Sequence, residues 1–474
     1  MVRLWPISYL WPMTGGESNL HLRPTTNSDT GGTMRRGLFP VLLMAAALSG
    51  ACTKLNDTAS SNLAVGQLDT MFNGTGLVVL QNTAGTDYGR GITTDANGNI
   101  VAVSARTVAG NGFDMAVFRI TPSGGLDTNF NGTGLFTVDG SAGAANQTDS
   151  PFDITVDGSG RILVTGDAWN GNNYDMIVWR VTSAGALDTS FDSDGILRQD
   201  GNAYDTGREV LLDDNNRIMV VSGRTVGGDQ DMAGWRINDD GTLDTSYDAD
   251  GWFIDDTGSA DWAKDGKLDS IGRLVVVGSL GNDLVLWRIA SNGGLDTAFG
   301  TSGRASYAEA SAIFRGEGMT IDAQGRIVVA GWRLSGGNYD AVIWRFDASG
   351  NLDTSFGNNG TVILDSGGRD IAWDVELDSE GNILVCGEWH NGNDTDMILW
   401  RFRSDGSADS RFGDDYNADN TPDGYVIHAN AAGSGDDLGF QLALDGEGRI
   451  LVIGDSDASG GADTDRDVVI WRFE

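Results

Sequence analysis

Cysteine, histidine, proline and positive charge are all scarce in this 474-residue chain. With only Cys52 and Cys386, no disulfide framework can staple the fold. His21, His390 and His428 are the only histidines, so no Cys/His cluster exists to hold zinc. Basic residues number 31 against 67 acidic ones, a net charge of −36. Phosphate backbones and anionic lipid surfaces both demand clustered Lys and Arg, so neither nucleic acid nor electrostatic membrane docking fits. No stretch repeats with a helical period, and no apolar run is long enough to span a bilayer. What is abundant is glycine, 69 residues against 7 prolines, alongside much Asn and Asp, as an all-β chain with many tight turns requires. At 40% hydrophobic residues the chain can bury a core.

Near the start, Met34-Arg35-Arg36 supplies a basic segment, Leu38 to Leu48 an apolar one, and Ser49-Gly50-Ala51 the small residues that precede Cys52. This is the pattern of an export signal, and it makes residues 1–33 a gene-start artefact with translation beginning at Met34. Small residues ending in Cys resemble the lipobox of bacterial lipoproteins, which implies cleavage before Cys52 and a lipid on it. Ser49 stands where that pattern usually carries an apolar residue, so ordinary secretion is the alternative. Thr53 follows in place of the Asp that retains such proteins at the inner membrane, so the resemblance implies the outer membrane or cell surface. Membrane attachment would come through that lipid alone. Residues 53–67, rich in Ser, Thr and Asn, are expected to form a tether.

From residue 68 onward the chain repeats itself. Leu-Asp-Thr-x-Phe starts at Leu68, Leu126, Leu187, Leu243 (with Tyr247), Leu295 and Leu352, and a degenerate copy begins at Ala408. In step with it run Asp-x-x-Gly-Arg-Ile, as at Asp157, Asp322 and Asp445, and Asp-x-x-x-Trp-Arg, ending at Arg180, Arg236, Arg288, Arg345, Arg401 and Arg472. The first copy of the latter, Asp114 to Arg119, has Phe118 for Trp. Each unit reads as four short strands, A to D, and seven such units without helices specify a seven-bladed β-propeller over residues 68–474. An outermost strand at Gly76 to Leu80 precedes any innermost strand, while the last unit stops after its third strand. One N-terminal strand is therefore expected to complete a three-stranded C-terminal blade, removing both open edges. A ring closed in this way needs no second copy of the chain.

The three phrases, occurring together and in register, resemble the uncharacterised delta-60 repeat family of bacterial exported proteins. That resemblance implies a propeller in an envelope or secreted setting and lends no catalytic residue.

Residues present in every unit are expected to perform packing and capping. The Trp of Trp-Arg should lie between neighbouring sheets, the Arg should pair with a carboxylate or carbonyls of an adjacent turn, and the Asp of Leu-Asp-Thr should cap its turn. Cys386, inside an apolar strand, should be a buried inert thiol. No Gly-x-Ser-x-Gly, His-Glu-x-x-His or Gly-x-x-x-x-Gly-Lys sequence is present. Tryptophans outside the repeat are more informative. Trp169, Trp332 and Trp389 follow strand B, Trp262 and Trp373 lie near the start of strand A, and His390 adjoins Trp389. One face would then carry loop aromatics among Asn and Asp, suited to a glycan or an extracellular protein, although the same rings would also serve to seal loops onto the blades. Binding or scaffolding is the function expected; an exported hydrolase or lyase using acids at the channel mouth is the alternative.

The loop between the third and fourth strands turns acidic in three units. The longest version, Asp414 to Gly424, alternates Asp415, Asn417 and Asp419 and ends with Asp423, a spacing that resembles the start of EF-hand and thrombospondin-type calcium loops. Asn420 and Val426 stand where the EF-hand has Gly and a bidentate Glu, so any calcium there should be held weakly. A solvated acidic loop of Asx-turns is the competing expectation.

Overall fold

The computed structural model of the chain describes residues 65–82, 85–108, 112–143, 147–416, 418, 421–458 and 465–474. Cys52 and the export segment lie outside the described residues, as do Asn417 and Asp419. Among the described residues, 28 strands form seven four-stranded antiparallel sheets and there is no helix.

Strand β1 (Leu77–Leu80) comes first. The first blade is β2 (Tyr88–Thr94), β3 (Ile100–Thr107), β4 (Phe113–Ile120) and β5 (Leu135–Val138), and the second is β6 (Asp149–Val156), β7 (Ile162–Trp169), β8 (Tyr174–Val181) and β9 (Ile196–Gln199). The third comprises β10 (Asp205–Leu212), β11 (Ile218–Val226), β12 (Asp229–Ile237) and β13 (Trp252–Asp255), and the fourth β14 (Asp261–Leu268), β15 (Leu274–Leu280), β16 (Asp283–Ile289) and β17 (Arg304–Tyr307). The fifth has β18 (Ala312–Ile321), β19 (Ile327–Ser335), β20 (Asn338–Phe346) and β21 (Thr361–Leu364), the sixth β22 (Ile371–Leu377), β23 (Ile383–His390), β24 (Thr395–Phe402) and β25 (Tyr425–His428). The seventh is β26 (Asp437–Leu444), β27 (Ile450–Asp457) and β28 (Arg466–Phe473), completed by β1 in the order β1-β28-β27-β26. Each innermost strand lies against that of the next blade, and β26 meets β2, so the ring is closed.

The repeated phrases explain the repeated shape. In the turn between first and second strands, Asp157 Oδ1 accepts the amides of Ser159 at 2.9 Å and Arg161 at 2.8 Å, while Oδ2 takes Arg161 Nε. The turn needs one left-handed residue, supplied by Gly160 (φ 78°) here and by Asn216 (φ 57°) in the third blade. The second and third strands are buried along almost their whole length, and the tryptophans of Trp-Arg fill the seams: Trp179, Trp287, Trp344 and Trp471 are fully buried among residues of two adjacent blades. Cys386 is likewise fully buried.

The arginine of Trp-Arg does the same thing in all seven blades. Nε of Arg119, Arg180, Arg236, Arg288, Arg345, Arg401 and Arg472 donates to the Asp of the following Leu-Asp-Thr turn (Asp127, Asp188, Asp244, Asp296, Asp353, Asp409 and, wrapping round, Asp69) at 2.8–2.9 Å. Each guanidinium also covers the aromatic ring three residues beyond that Asp, 4.4–4.9 Å from its centroid. In six blades Nη1 reaches on to a carbonyl in the next blade, as from Arg236 to Ser291 at 2.6 Å and from Arg472 to Pro122 at 2.5 Å. The other oxygen of the Asp caps its own turn, as Asp244 Oδ1 does for the Ser246 amide at 3.1 Å.

Every innermost strand slips by one residue against its neighbour at the same place, a bulge per blade. The residue before the slip is always small: Gly89, Pro151, Gly207, Ala263, Gly316, Ala372 and Gly439. A Cβ on Gly89 would stand 2.4 Å from the Gly454 carbonyl of the seventh blade, so the close approach at the closure demands glycine.

Residues 65–67 are also bonded to the ring: the Gly66 amide donates to Glu474 O at 2.5 Å and Gln67 Nε2 to Asp414 Oδ1 at 2.8 Å. Arg472→Ala leaves the buried Asp69 with only Arg449, 3.7 Å away, as counter-charge, and is expected to cost up to about 3–5 kcal/mol in calorimetric or denaturant unfolding. Deleting residues 65–82 should both lower the melting temperature and expose the β28 edge to self-association in size-exclusion chromatography; an unchanged monomer with unchanged melting would contradict closure by β1.

Candidate functional site

The seven bulges place one side chain each at a common level of the central channel. In ring order they are Arg90, Phe152, Arg208, Lys264, Glu317, Trp373 and Phe440. All but Trp373 are half-buried, so solvent reaches them. Five form a continuous arc across the closure. The Trp373 ring meets Phe440 edge-on at 5.8 Å, and Arg90 lies between Phe440 (5.8 Å) and Phe152 (5.9 Å). Arg208 stacks on Phe152 at 4.1 Å. Lys264 and Glu317, paired at 3.1 Å, complete the ring, and Trp332 joins it by donating Nε1 to Glu317 Oε1 at 2.9 Å.

The next residue is acidic in four blades (Asp153, Glu209, Asp265 and Asp374), and three of these carboxylates have a mechanical job. Asp153 Oδ2 accepts the amide of Val210 at 2.9 Å, Asp265 Oδ2 that of Met319 at 2.6 Å, and Asp374 Oδ2 that of Leu442 at 2.9 Å, each one blade ahead. Gln441 repeats the latch across the closure, accepting from Ile92 at 2.6 Å and donating to Asp153 Oδ1 at 2.9 Å. Asp153, Asp374 and Gln441 line, with Glu209, Lys267 and Glu376 among others, a cavity of about 300 Å³. Lys267 stands 3.5 Å from Glu209, 3.6 Å from Glu376 and 4.0 Å from Asp265. Burial opposes its charge, but these carboxylates outweigh it and hold its pKa above the usual lysine range. Burial and the neighbouring Asp153 and Asp265 push Glu209 well up, toward the neutral acid.

The tryptophans and histidine singled out from the sequence fall at different registers of the second strand. Trp332 reaches the channel ring, while its own ring also packs on Tyr339 at 5.2 Å. Trp169 meets its cross-strand partner Tyr174 at 5.1 Å, and Trp389 packs on Trp400 and Tyr425 of its own blade. The His390 amide donates to Asp370 Oδ1 at 3.0 Å and its ring sits against Gly368. The arc residues other than Trp373 escaped sequence reading. Aligning the units on the small residue before each bulge would have shown them, because the next position varies in charge and aromaticity where the one before it stays small.

In the acidic insertion, Asp423 Oδ2 accepts the Tyr416 amide at 2.8 Å and Asp414 Oδ2 the Tyr416 hydroxyl at 3.2 Å, with Tyr416 stacked on Tyr425 at 4.9 Å. Asp415 and Asp423 are thus described within a braced turn, whereas Asn417 and Asp419 lie outside the described residues.

The family described as "Domain of unknown function (DUF5122) beta-propeller" matches residues 158–191, 324–356 and 379–412. Each match runs from the first turn of a blade to the aromatic residue under the Trp-Arg guanidinium, and these repeats are those of a β-propeller repeat family. No curated protein matches the sequence. Among solved structures the chain is similar to virginiamycin B lyase from Staphylococcus aureus, in a catalytically inactive form with quinupristin (13% identity, TM-score 0.43, 83% of this chain and 98% of that one). It is also similar to the polysaccharide lyase Uly1 (10%, TM-score 0.49, 81% and 90%) and to Drosophila Semaphorin 1b extracellular domains 1-2 (9%, TM-score 0.43, 86% and 88%).

Folding raises several carboxyl pKa values. Burial takes Glu388 up to about 7 against the pull of Arg369, and takes Asp149 up to about 7 against hydrogen bonds from Ser141 and Gly140. Such groups bind more protons folded than unfolded, so the stability they confer is present below their ordinary values and is lost as pH rises toward about 7. Asp244 is the opposite case: despite burial, hydrogen bonds from Ser246 and the charge of Arg236 hold it at about 2, and its contribution is lost only in stronger acid. Melting temperature is therefore expected to be higher near pH 5 than near pH 8. Glu388→Gln, which keeps an acceptor for Arg369, should flatten that slope, and a slope unchanged in the variant would contradict the assignment.

Proposed function

We propose that this chain is an exported binding propeller whose channel mouth holds an anionic glycan. The observation that carries the reading is the arc Trp373–Phe440–Arg90–Phe152–Arg208, which gathers guanidinium groups and aromatic faces at one level of a chain with a net charge of −36. Aromatic faces stack on sugar rings, and arginine pairs bidentately with carboxylate or sulfate, so the combination suits a glycan bearing such groups. Binding is favoured over the alternative of a hydrolase or lyase because Asp153, Asp265 and Asp374 are occupied by backbone amides of the next blade; Glu209 and Glu376, beside Lys267, are the acids that alternative would use. Trp332, bonded to Glu317, extends the same surface; Trp169, Trp389 and His390 would contribute only to a ligand that spreads over the loops.

The export signal and Cys52 support an envelope lipoprotein, and the three phrases in register support membership of the delta-60 repeat family. Both remain part of this proposal. Cys52→Ser is expected to move the protein from the membrane fraction to the soluble one, since the lipid would be its anchor; equal partition of variant and parent would count against it.

For the ligand, uronate-containing oligosaccharides and neutral glucan oligomers titrated into the purified protein should bind and fail to bind, respectively. Arg90→Ala and Arg208→Ala should each weaken uronate binding by about 1.5–3 kcal/mol, more than tenfold, while Trp389→Ala leaves it unchanged. Cleavage of the oligosaccharide during the titration would convert the reading to a lyase or hydrolase. Binding indifferent to both arginines would end it.

A further inference from the structure

We propose that Asp114, Asp139 and Asp149 form a calcium site at the seam between the first and second blades. Asp114 opens β4, Asp139 follows β5, and Asp149 opens β6 of the next blade. The register that pairs Met115 with Val138 brings Asp139 beside Asp114. Asp149 is fixed in place by accepting the amides of Gly140 at 2.8 Å and Ser141 at 3.1 Å. One carboxylate oxygen from each residue lies within 4.8 Å of the other two. Oxygens on opposite sides of a calcium ion stand about 4.6–5.2 Å apart, so all three fit within one coordination shell.

The independent sign of a missing partner is Asp114 itself. It is 6% exposed, its Oδ1 is buried, and no hydrogen bond reaches that oxygen. A buried carboxylate oxygen left in that state is costly unless something positive meets it.

The other blades supply internal comparisons, because the same position of the third strand is Asp throughout. Asp175 is held by Asn170 Nδ2 at 2.9 Å, Asp396 by Asn391 Nδ2 at 2.8 Å, and Asp340 by Arg333 Nε at 2.7 Å and Asn338 Nδ2 at 2.7 Å. Arg333 sits opposite Asp340 in the strand register. Its counterpart opposite Asp114 is Arg106, which is turned toward Asp87 of the preceding seam at 3.9 Å. Asp231 resembles Asp114 in having buried oxygens without hydrogen-bond partners, but among the described residues only the first seam brings three ligand oxygens so close. The arginine that answers the carboxylate in the fifth blade thus has a divalent ion as its replacement in the first. Only one ligand is exposed, Asp139, so the ion enters from solvent and its affinity falls in the weak extracellular range, about 10⁻⁴–10⁻³ M.

Calorimetric titration of calcium chloride into the full chain, with thermal melting in parallel, tests this. The parent should bind calcium at this seam and melt higher at about 10 mM calcium than in chelator. Asp139→Asn, a change at an exposed position, should weaken binding at least tenfold, shrink the calcium-dependent shift, and leave calcium-free melting equal or higher because repulsion is relieved. Asp415→Asn should change neither. No binding to the parent at about 10 mM, or a shift that survives Asp139→Asn, would overturn the proposal, as would a shift abolished by Asp415→Asn.

Discussion

The ring rests on one repeated contact, an arginine held between a carboxylate and an aromatic face. Taking a guanidinium out of water is expensive, and here its cost is offset from several directions at once. An Asp at the start of the following turn neutralises it, the ring three residues on covers it, and in most blades a carbonyl of the next blade receives what remains of its donors. Because the last of those partners belongs to the neighbour, the arginine fixes the turn of its own blade and the spacing to the next. Six of the seven arginines reach across to the next blade in this way, and the Trp beside the arginine (Phe118 in the first blade) packs into a seam.

Much of this could be read from the chain alone, for a physical reason. A blade cannot bury its faces without a neighbour, so the residues that form the seam must recur in every unit, and recurrence is visible in a single sequence. The closure was equally legible, since a strand at Gly76 to Leu80 with no sheet before it must pair elsewhere; it pairs as Leu77 to Leu80 with Val468 to Trp471. The site was far less legible. Arg90, Phe152 and Arg208 occupy one structural level, but they recur in position without recurring in type. Counting alternate residues along the strand also miscarries at a bulge, where the two-residue period breaks. The Asp114, Asp139 and Asp149 grouping was hidden differently: every member, taken alone, looks like one more capping aspartate.

The acidic composition also gains a structural meaning. Much of the negative charge is used in turns and seams, in Asp-x-x-Gly-Arg turns, in Leu-Asp-Thr turns and in the carboxylates that accept amides across the channel. Composition alone pointed to a solvated surface or to metal. Against this background the cationic arc at the channel mouth is a departure from the chain's general character, and the bulges are what allow it. They turn seven side chains inward without disturbing the alternation that builds the blades on either side.

The strand that completes the seventh blade lies at the opposite end of the described chain from the three it joins. Synthesis therefore delivers the first strand long before its partners exist, and the ring stays open until the final Trp-Arg-Phe has emerged. During that interval the β1 segment has no sheet to belong to, and six blades can assemble while the seventh waits. The constraint is written into the topology: β1 has no partner until β28 has been made, so the seventh blade cannot be completed before then.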